Sequence, residues 1–167
     1  MAACRTSLLE LTPLIIKRNC QQRGMTLLEL MFVVIVCAVL AAIATGTYQR
    51  YVARVRVQTA ITDIGQMQLV INKYRLDNDA LPPTLADCGL GGKLDPWGNP
   101  YQYLDFTGIK GNGQVRKDHN LVPINSDYDL YSMGPDGASA SPLTAKASRD
   151  DIVRANDGAF IGKAEDY

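Results

Sequence analysis

The chain has 167 residues, enough for one ordinary domain, and its 17 basic and 17 acidic side chains leave no net charge. This balance argues against a nucleic-acid binder that relies on gross positive charge. The average of 47% hydrophobic residues hides one unbroken apolar run over residues 30–44. The four cysteines suggest no internal disulfide in the polar remainder, so we expect other interactions to hold that part together.

The apolar run lies in a segment long enough to span a membrane. Residues 25–44 carry a single charge, on Glu29, and a helix of about 20 residues covers the roughly 30 Å of a bilayer core. A secretory signal cut after the small residues at 41–44 is the alternative. We place the break earlier and divide the chain into a leader (1–24), a membrane helix (25–46) and a globular domain (47–167).

A second helical pattern continues beyond the membrane segment. Apolar residues recur there at three- and four-residue spacing, which predicts one amphipathic stripe ending near Leu76: Val57, Ile61, Ile64, Met67, Ile71 and Tyr74. Turn-rich sequence follows, with strand-like pieces at residues 101–106, 129–133 and 159–161. The sequence therefore predicts an α+β fold, in which a small antiparallel sheet lies on a long N-terminal helix.

The segment RGMTLLE at residues 23–29 carries the most information. It resembles the prepilin signal of type IV pilins and type II secretion pseudopilins. The resemblance implies that a membrane peptidase cuts after Gly24 and methylates the amine of Met25, where the family usually has Phe. It also implies that Glu29 meets the N-terminal amine of a neighbouring subunit during filament assembly. The alternative for Glu29 is a carboxylate that reaches the lipid headgroups.

Downstream segments are similar to the major, G-type pseudopilin. They are a helix end at residues 74–78 with the loop that follows it, the segment DPWGNPY at 95–101, and DLYSMGPDG at 129–137. We interpret the turn around Trp97 as architecture rather than chemistry. Two segments depart from the family pattern, a long loop at 111–126 and a C-terminal extension at 150–158. A type IV pilus subunit for adhesion, motility or DNA uptake therefore stays open.

The resemblance implies a major pseudopilin that polymerises into a periplasmic pseudopilus and drives the export of folded proteins. Its implied place is the inner membrane, with the C-terminal domain in the periplasm. Its implied partners are copies of itself, minor pseudopilins, the prepilin peptidase, and the assembly platform with its ATPase, without nucleic acid. We expect no enzyme, because the lone histidine, His119, has no Cys–His or Ser–His arrangement around it.

Calcium is the remaining expectation. Residues 134–151 are mostly small and offer little apolar surface to offset their ordering entropy. G-type pseudopilins bind calcium in the corresponding loops, and the resemblance assigns the ligands to Asp136 and Asp151, with Asp150 as the rival. The alternative is a solvated loop in which Asp136 only favours a turn.

Overall fold

The computed structural model describes residues 24–109, 111, 113–119 and 122–167. The predicted leader lies outside these residues except for Gly24. The described chain contains the helix α1 (Leu27–Asn78), followed by strands and short 3-10 helices. The strands are β1 (Gln102–Asp105), β2 (Lys117–Asp118), β3 (Val122–Pro123), β4 (Tyr128–Ser132), β5 (Ile152–Ala155) and β6 (Phe160–Lys163). The 3-10 helices span Leu85–Cys88, Lys146–Ser148, Asn156–Gly158 and Ala164–Asp166. The predicted α+β class is confirmed.

The chain divides into two units between Ile43 and Ala44. In the first unit, the described residues 24–43 are all exposed, including large apolar side chains such as Phe32 and Ile35. The helix that begins there is long and apolar enough to cross a membrane, judged by length and composition. Apolar surface of this extent needs lipid or protein to cover it.

In the second unit, the predicted stripe of α1 forms the core. Ile64, Met67 and Ile71 are fully buried, whereas Val57, Ile61 and Tyr74 are half-buried. The stripe packs with buried side chains of the sheet and of the segment before it, namely Tyr101, Tyr128, Leu130 and Ile152. These contacts attach one face of α1 to the sheet, while its other faces stay exposed.

The main sheet has four antiparallel strands in the order β1-β4-β5-β6. Three of these strands overlap the predicted pieces, whereas β5 was not predicted. The strand β5 belongs to the segment at 150–158 that departs from the family pattern, and it lies between β4 and β6 and is buried along its whole length. The loop predicted at 111–126 also contains a short hairpin of β2 and β3.

The two faces of the sheet serve two clusters. Ile152 of β5 points to the helix cluster, whereas Val153 and Ala155 pack with Ile124 and Leu143 in a second, smaller one. This alternation follows from the two-residue period of a strand. The C-terminal segment is therefore part of both clusters.

Candidate functional site

The N-terminal motif lies at the start of α1. Gly24 and Met25 precede the helix and are exposed, and Glu29 lies in its first turn. The Glu29 backbone N–H donates to Thr26 Oγ1 over 3.3 Å, which helps to begin the helix. The Glu29 carboxylate forms no ion pair with any residue that the structure describes. Glu29 is exposed and lies next to the positive end of the helix dipole.

The DPWGNPY segment folds into a tight turn around the side chain of Asp95. Asp95 Oδ1 accepts the backbone N–H groups of Trp97 at 3.0 Å and Asn99 at 2.8 Å, and the Asp95 residue is only 5% exposed. Gly98 has φ +96°, a conformation that favours glycine. Trp97 packs partly buried against the helix cluster, as the architectural interpretation predicts.

The same turn is fastened to the end of β4. Ser132 Oγ donates to Asp95 Oδ2 at 2.6 Å and accepts the Gly134 N–H at 3.1 Å. Asn99 Nδ2 donates to the Gly134 carbonyl at 3.1 Å. Two motifs that are separate in the sequence therefore form one interlocked structure, which has the character of a brace and not of a catalytic site.

A polar clamp ties this structure to α1. Asp63 on the helix accepts Lys93 Nζ at 2.7 Å and the Tyr101 hydroxyl at 2.9 Å. Burial, together with the Asp63 carboxylate, raises the pKa of Tyr101, so its hydroxyl stays a donor at all physiological pH values. The apolar periodicity does not indicate this clamp, because Asp63 is a polar residue beside the predicted stripe.

The three aspartates assigned to calcium have different surroundings. Asp136 is exposed and accepts the Ala138 N–H at 2.8 Å, as a turn residue does. Asp150 is half-buried beside Gly134, where an added Cβ would lie 2.5 Å from the Asp150 carbonyl oxygen. Asp151 is fully buried and paired with Arg116 Nη2 at 2.6 Å. Burial raises the pKa of Asp151 to about 6, and the Arg116 charge opposes this rise.

Calcium takes about 6–8 oxygen ligands. The described residues contain no group of three Asp, Glu, His or Cys side chains that could hold a metal ion. The oxygen Asp151 Oδ1 is buried without a hydrogen-bond donor, but Asp151 Oδ2 faces donors. Calcium binding at Asp136 and Asp151, with Asp150 as the rival, stays a prediction.

A second buried arginine was also missed in the sequence. Arg154 of β5 contacts both carboxylate oxygens of Asp127 at 2.8 Å and lies 4.0 Å from the centre of the Tyr128 ring. Its Nε donates to Gln68 Oε1 on α1 at 3.2 Å. His119, by contrast, is exposed beside Asp118.

Comparison with known proteins agrees with this architecture. Residues 19–45 match the family model described as the prokaryotic N-terminal methylation motif, a range that contains Gly24, Met25 and Glu29. The chain is 33% identical to the type II secretion system core protein G of Pseudomonas aeruginosa over 138 residues, 70% of this chain and 86% of that protein. The corresponding protein of Vibrio cholerae is 31% identical over 143 residues, 72% of this chain and 86% of that protein.

Type IV pilins are also similar. The type IV major fimbrial protein FimA of Dichelobacter nodosus is 46% identical over 119 residues, 71% of this chain and 74% of that protein. No solved structure matches the chain significantly.

A long N-terminal helix with a methylation motif, packed on a small antiparallel sheet, defines a type IV pilin-like prepilin. Within that class, the chain belongs to the family of the type II secretion system core protein G, the major pseudopilin. The family is structural and is not a known family of enzymes.

Proposed function

We propose that this protein is the major pseudopilin of a type II secretion system, whose copies polymerise into a pseudopilus that drives the export of folded proteins. One observation carries the proposal: a fully exposed apolar helix segment, with Glu29 as its one charge, leads into a folded domain. Such a segment needs lipid before assembly and other subunits after it. The relationship of this chain to the type II secretion system core protein G supports this assignment.

Glu29 has a specific role in the proposal. A charge at the centre of a membrane helix costs about 3 kcal/mol on insertion scales, and less near the end, where Glu29 lies. Its placement becomes useful when the carboxylate meets the new N-terminal amine of a neighbouring subunit. Inside an apolar filament core, a single mismatched register would leave both charges buried and unpaired. The pair would therefore set the axial position of each subunit.

The proposed cellular location, processing and partners of the protein follow from this role. The apolar segment would anchor the prepilin in the inner membrane, with the C-terminal domain in the periplasm. The prepilin peptidase would cut between Gly24 and Met25 and methylate the Met25 amine. Minor pseudopilins, the assembly platform and its ATPase are the remaining proposed partners. The subunit itself would perform no catalysis.

The test is to replace Glu29 and count filaments. Glu29→Gln keeps the shape of the side chain and removes its charge, so insertion and processing should persist while filament number falls at least tenfold. Glu165→Gln, an exposed residue of the globular domain, is the matched control and should assemble normally. Electron microscopy of cells that overproduce the assembly machinery gives the count. Normal filaments from Glu29→Gln would contradict the proposed pairing.

The second candidate is a type IV pilus subunit, which the 46% identity to FimA favours. The two candidates differ in what they restore. A major pseudopilin should restore secretion to a strain that lacks its core protein G, whereas a pilus subunit should restore surface pili to a strain that lacks its major pilin. The segments at 95–101 and 129–137, similar to the G-type subunit, support the first candidate.

A further inference from the structure

Asp151 is paired with a positively charged group of the chain itself, the guanidinium of Arg116. Arg116 and Asp151 are 3% and 0% exposed, and their charged atoms lie 2.6 Å apart. Ser139 Oγ donates to the same oxygen, Asp151 Oδ2, at 2.6 Å. A guanidinium and a hydroxyl proton therefore occupy Asp151 Oδ2, whereas the buried Asp151 Oδ1 has no hydrogen-bond partner among the described residues.

Arg116 is held in this position from several directions. Its guanidinium lies 4.2 Å from the centre of the Tyr131 ring, and Nη1 donates to Ser139 Oγ. Its backbone N–H donates to Asp129 Oδ2 at 2.7 Å. The side chain is thus fixed by β4 on one side and by the loop before β5 on the other.

The loop that the pair closes has further hydrogen bonds of its own. Ser148 Oγ accepts the Ala140 N–H at 2.9 Å and donates to the Ala140 carbonyl at 2.7 Å. The N–H of Leu143 donates to the Lys117 carbonyl at 3.0 Å, which attaches the loop to β2. These bonds offset part of the entropic cost of ordering the loop, which is the cost that calcium binding was expected to offset.

We propose that the Arg116 guanidinium, and not Ca²⁺, is the counter-ion of Asp151 and fixes the loop at residues 138–150. A divalent cation bound to Asp151 would stand beside a buried positive charge, and like charges repel strongly in a medium of low polarity. The inference does not depend on the filament role. Calcium held by Asp136 or Asp150 alone would be compatible with it.

The experiment measures melting temperatures of the full-length chain in detergent, in millimolar CaCl₂ or in EGTA. Asp151→Asn tests the carboxylate, and Asp150→Asn is the matched control from the neighbouring position. We expect Asp151→Asn to melt about 10 °C lower in both solutions, since it breaks a buried pair. A calcium-dependent rise in the unmodified chain that disappears in Asp151→Asn, and persists in Asp150→Asn, would overturn the inference.

Arg116→Gln provides a second, independent test if Asp151→Asn does not fold. If Arg116 is the counter-ion, this variant leaves Asp151 buried and uncompensated and melts lower with or without calcium. If Asp151 binds calcium, loss of the neighbouring positive charge strengthens binding, and the variant melts higher in CaCl₂ than the unmodified chain. The sign of the shift in CaCl₂ decides between the two.

Discussion

The hydroxyl of Ser132 donates a 2.6 Å hydrogen bond to Asp95, a residue 37 positions earlier in the chain. Asp95 also organises the turn around Trp97, and Ser132 also accepts the N–H of Gly134. One carboxylate thus joins a turn next to the helix to the end of a central strand. The segments that carry the family resemblance are linked by direct contact.

Replacing Asp95 should destabilise the domain strongly. Asp95→Ala removes the acceptor of hydrogen bonds from two backbone N–H groups and one buried hydroxyl. We therefore expect the free energy of unfolding to fall by about 2–4 kcal/mol. Asp105→Ala is the control, because Asp105 accepts a similar pair of bonds from Thr107 at an exposed site. Its loss should stay below about 1 kcal/mol. Urea unfolding measures both variants, and equal losses would contradict the brace.

Arg154 should be as important to stability, although it lies in the segment at 150–158 that departs from the family pattern. Arg154→Ala leaves Asp127 without its partner and breaks the contact with Gln68, so we expect a loss of about 3–5 kcal/mol. Lys73→Ala removes an ion pair of the same type from an exposed helix face and should cost less than about 1 kcal/mol. Thermal unfolding in detergent compares the two.

Gly134 should not tolerate a side chain. Its φ is +64°, and a Cβ there would lie 2.5 Å from the Asp150 carbonyl oxygen. Gly134→Ala should therefore cost at least about 2 kcal/mol, by backbone strain and by displacement of residues 149–151. Gly113→Ala adds the same methyl group where, apart from its chain neighbours, none of the described residues has an atom within 4 Å, and should change stability by less than about 0.5 kcal/mol. A tolerated Gly134→Ala would mean that the turn can move away from Asp150.

Asp157 should contribute to stability in a pH-dependent way. The Ser126 backbone N–H, followed by its hydroxyl, donates to the carboxylate and lowers the pKa of Asp157. Because the folded-state pKa is depressed, this contribution is present above the unfolded pKa of about 4 and is lost as the pH falls through the folded value. Ser126→Ala should raise the pKa of Asp157 partway, since the backbone donor remains. Carboxyl NMR titration measures it, with Glu165 as the internal control.

Processing gives the most direct check on the N-terminal motif. The intact mass of the membrane-extracted protein should correspond to a chain that begins at Met25 and carries one added methyl group. Gly24→Ile should block the cut and leave the leader attached, because a bulky β-branched residue replaces the smallest one at the bond to be cleaved. A retained leader in the unmodified protein, or a cut near Ala44, would contradict the proposed maturation.

The helix and its buried face were predictable because their signal is local. Ile64, Met67 and Ile71 repeat along one helix and need no knowledge of the rest of the chain. Strand β5 was not predicted because it is only four residues long, contains the charged Arg154 and follows two aspartates, so it lacks the apolar pattern of a strand. The charges of Asp151 and Arg154 are compensated by Arg116 and Asp127, 35 and 27 residues away. Such pairings have no periodicity to detect.

The position of β5 also determines when the domain can fold. Ile152 of β5 packs against the apolar stripe of α1, and Arg154 donates a hydrogen bond to Gln68, 86 residues earlier. During synthesis, the stripe of α1 therefore waits for nearly the whole chain before its last contacts can form. A product truncated before residue 152 would leave part of the apolar helix surface uncovered and would lack β5 and β6, so that β4 would become an edge strand. The core face of the helix is therefore fully covered only once β5 has been added to the residues that precede it.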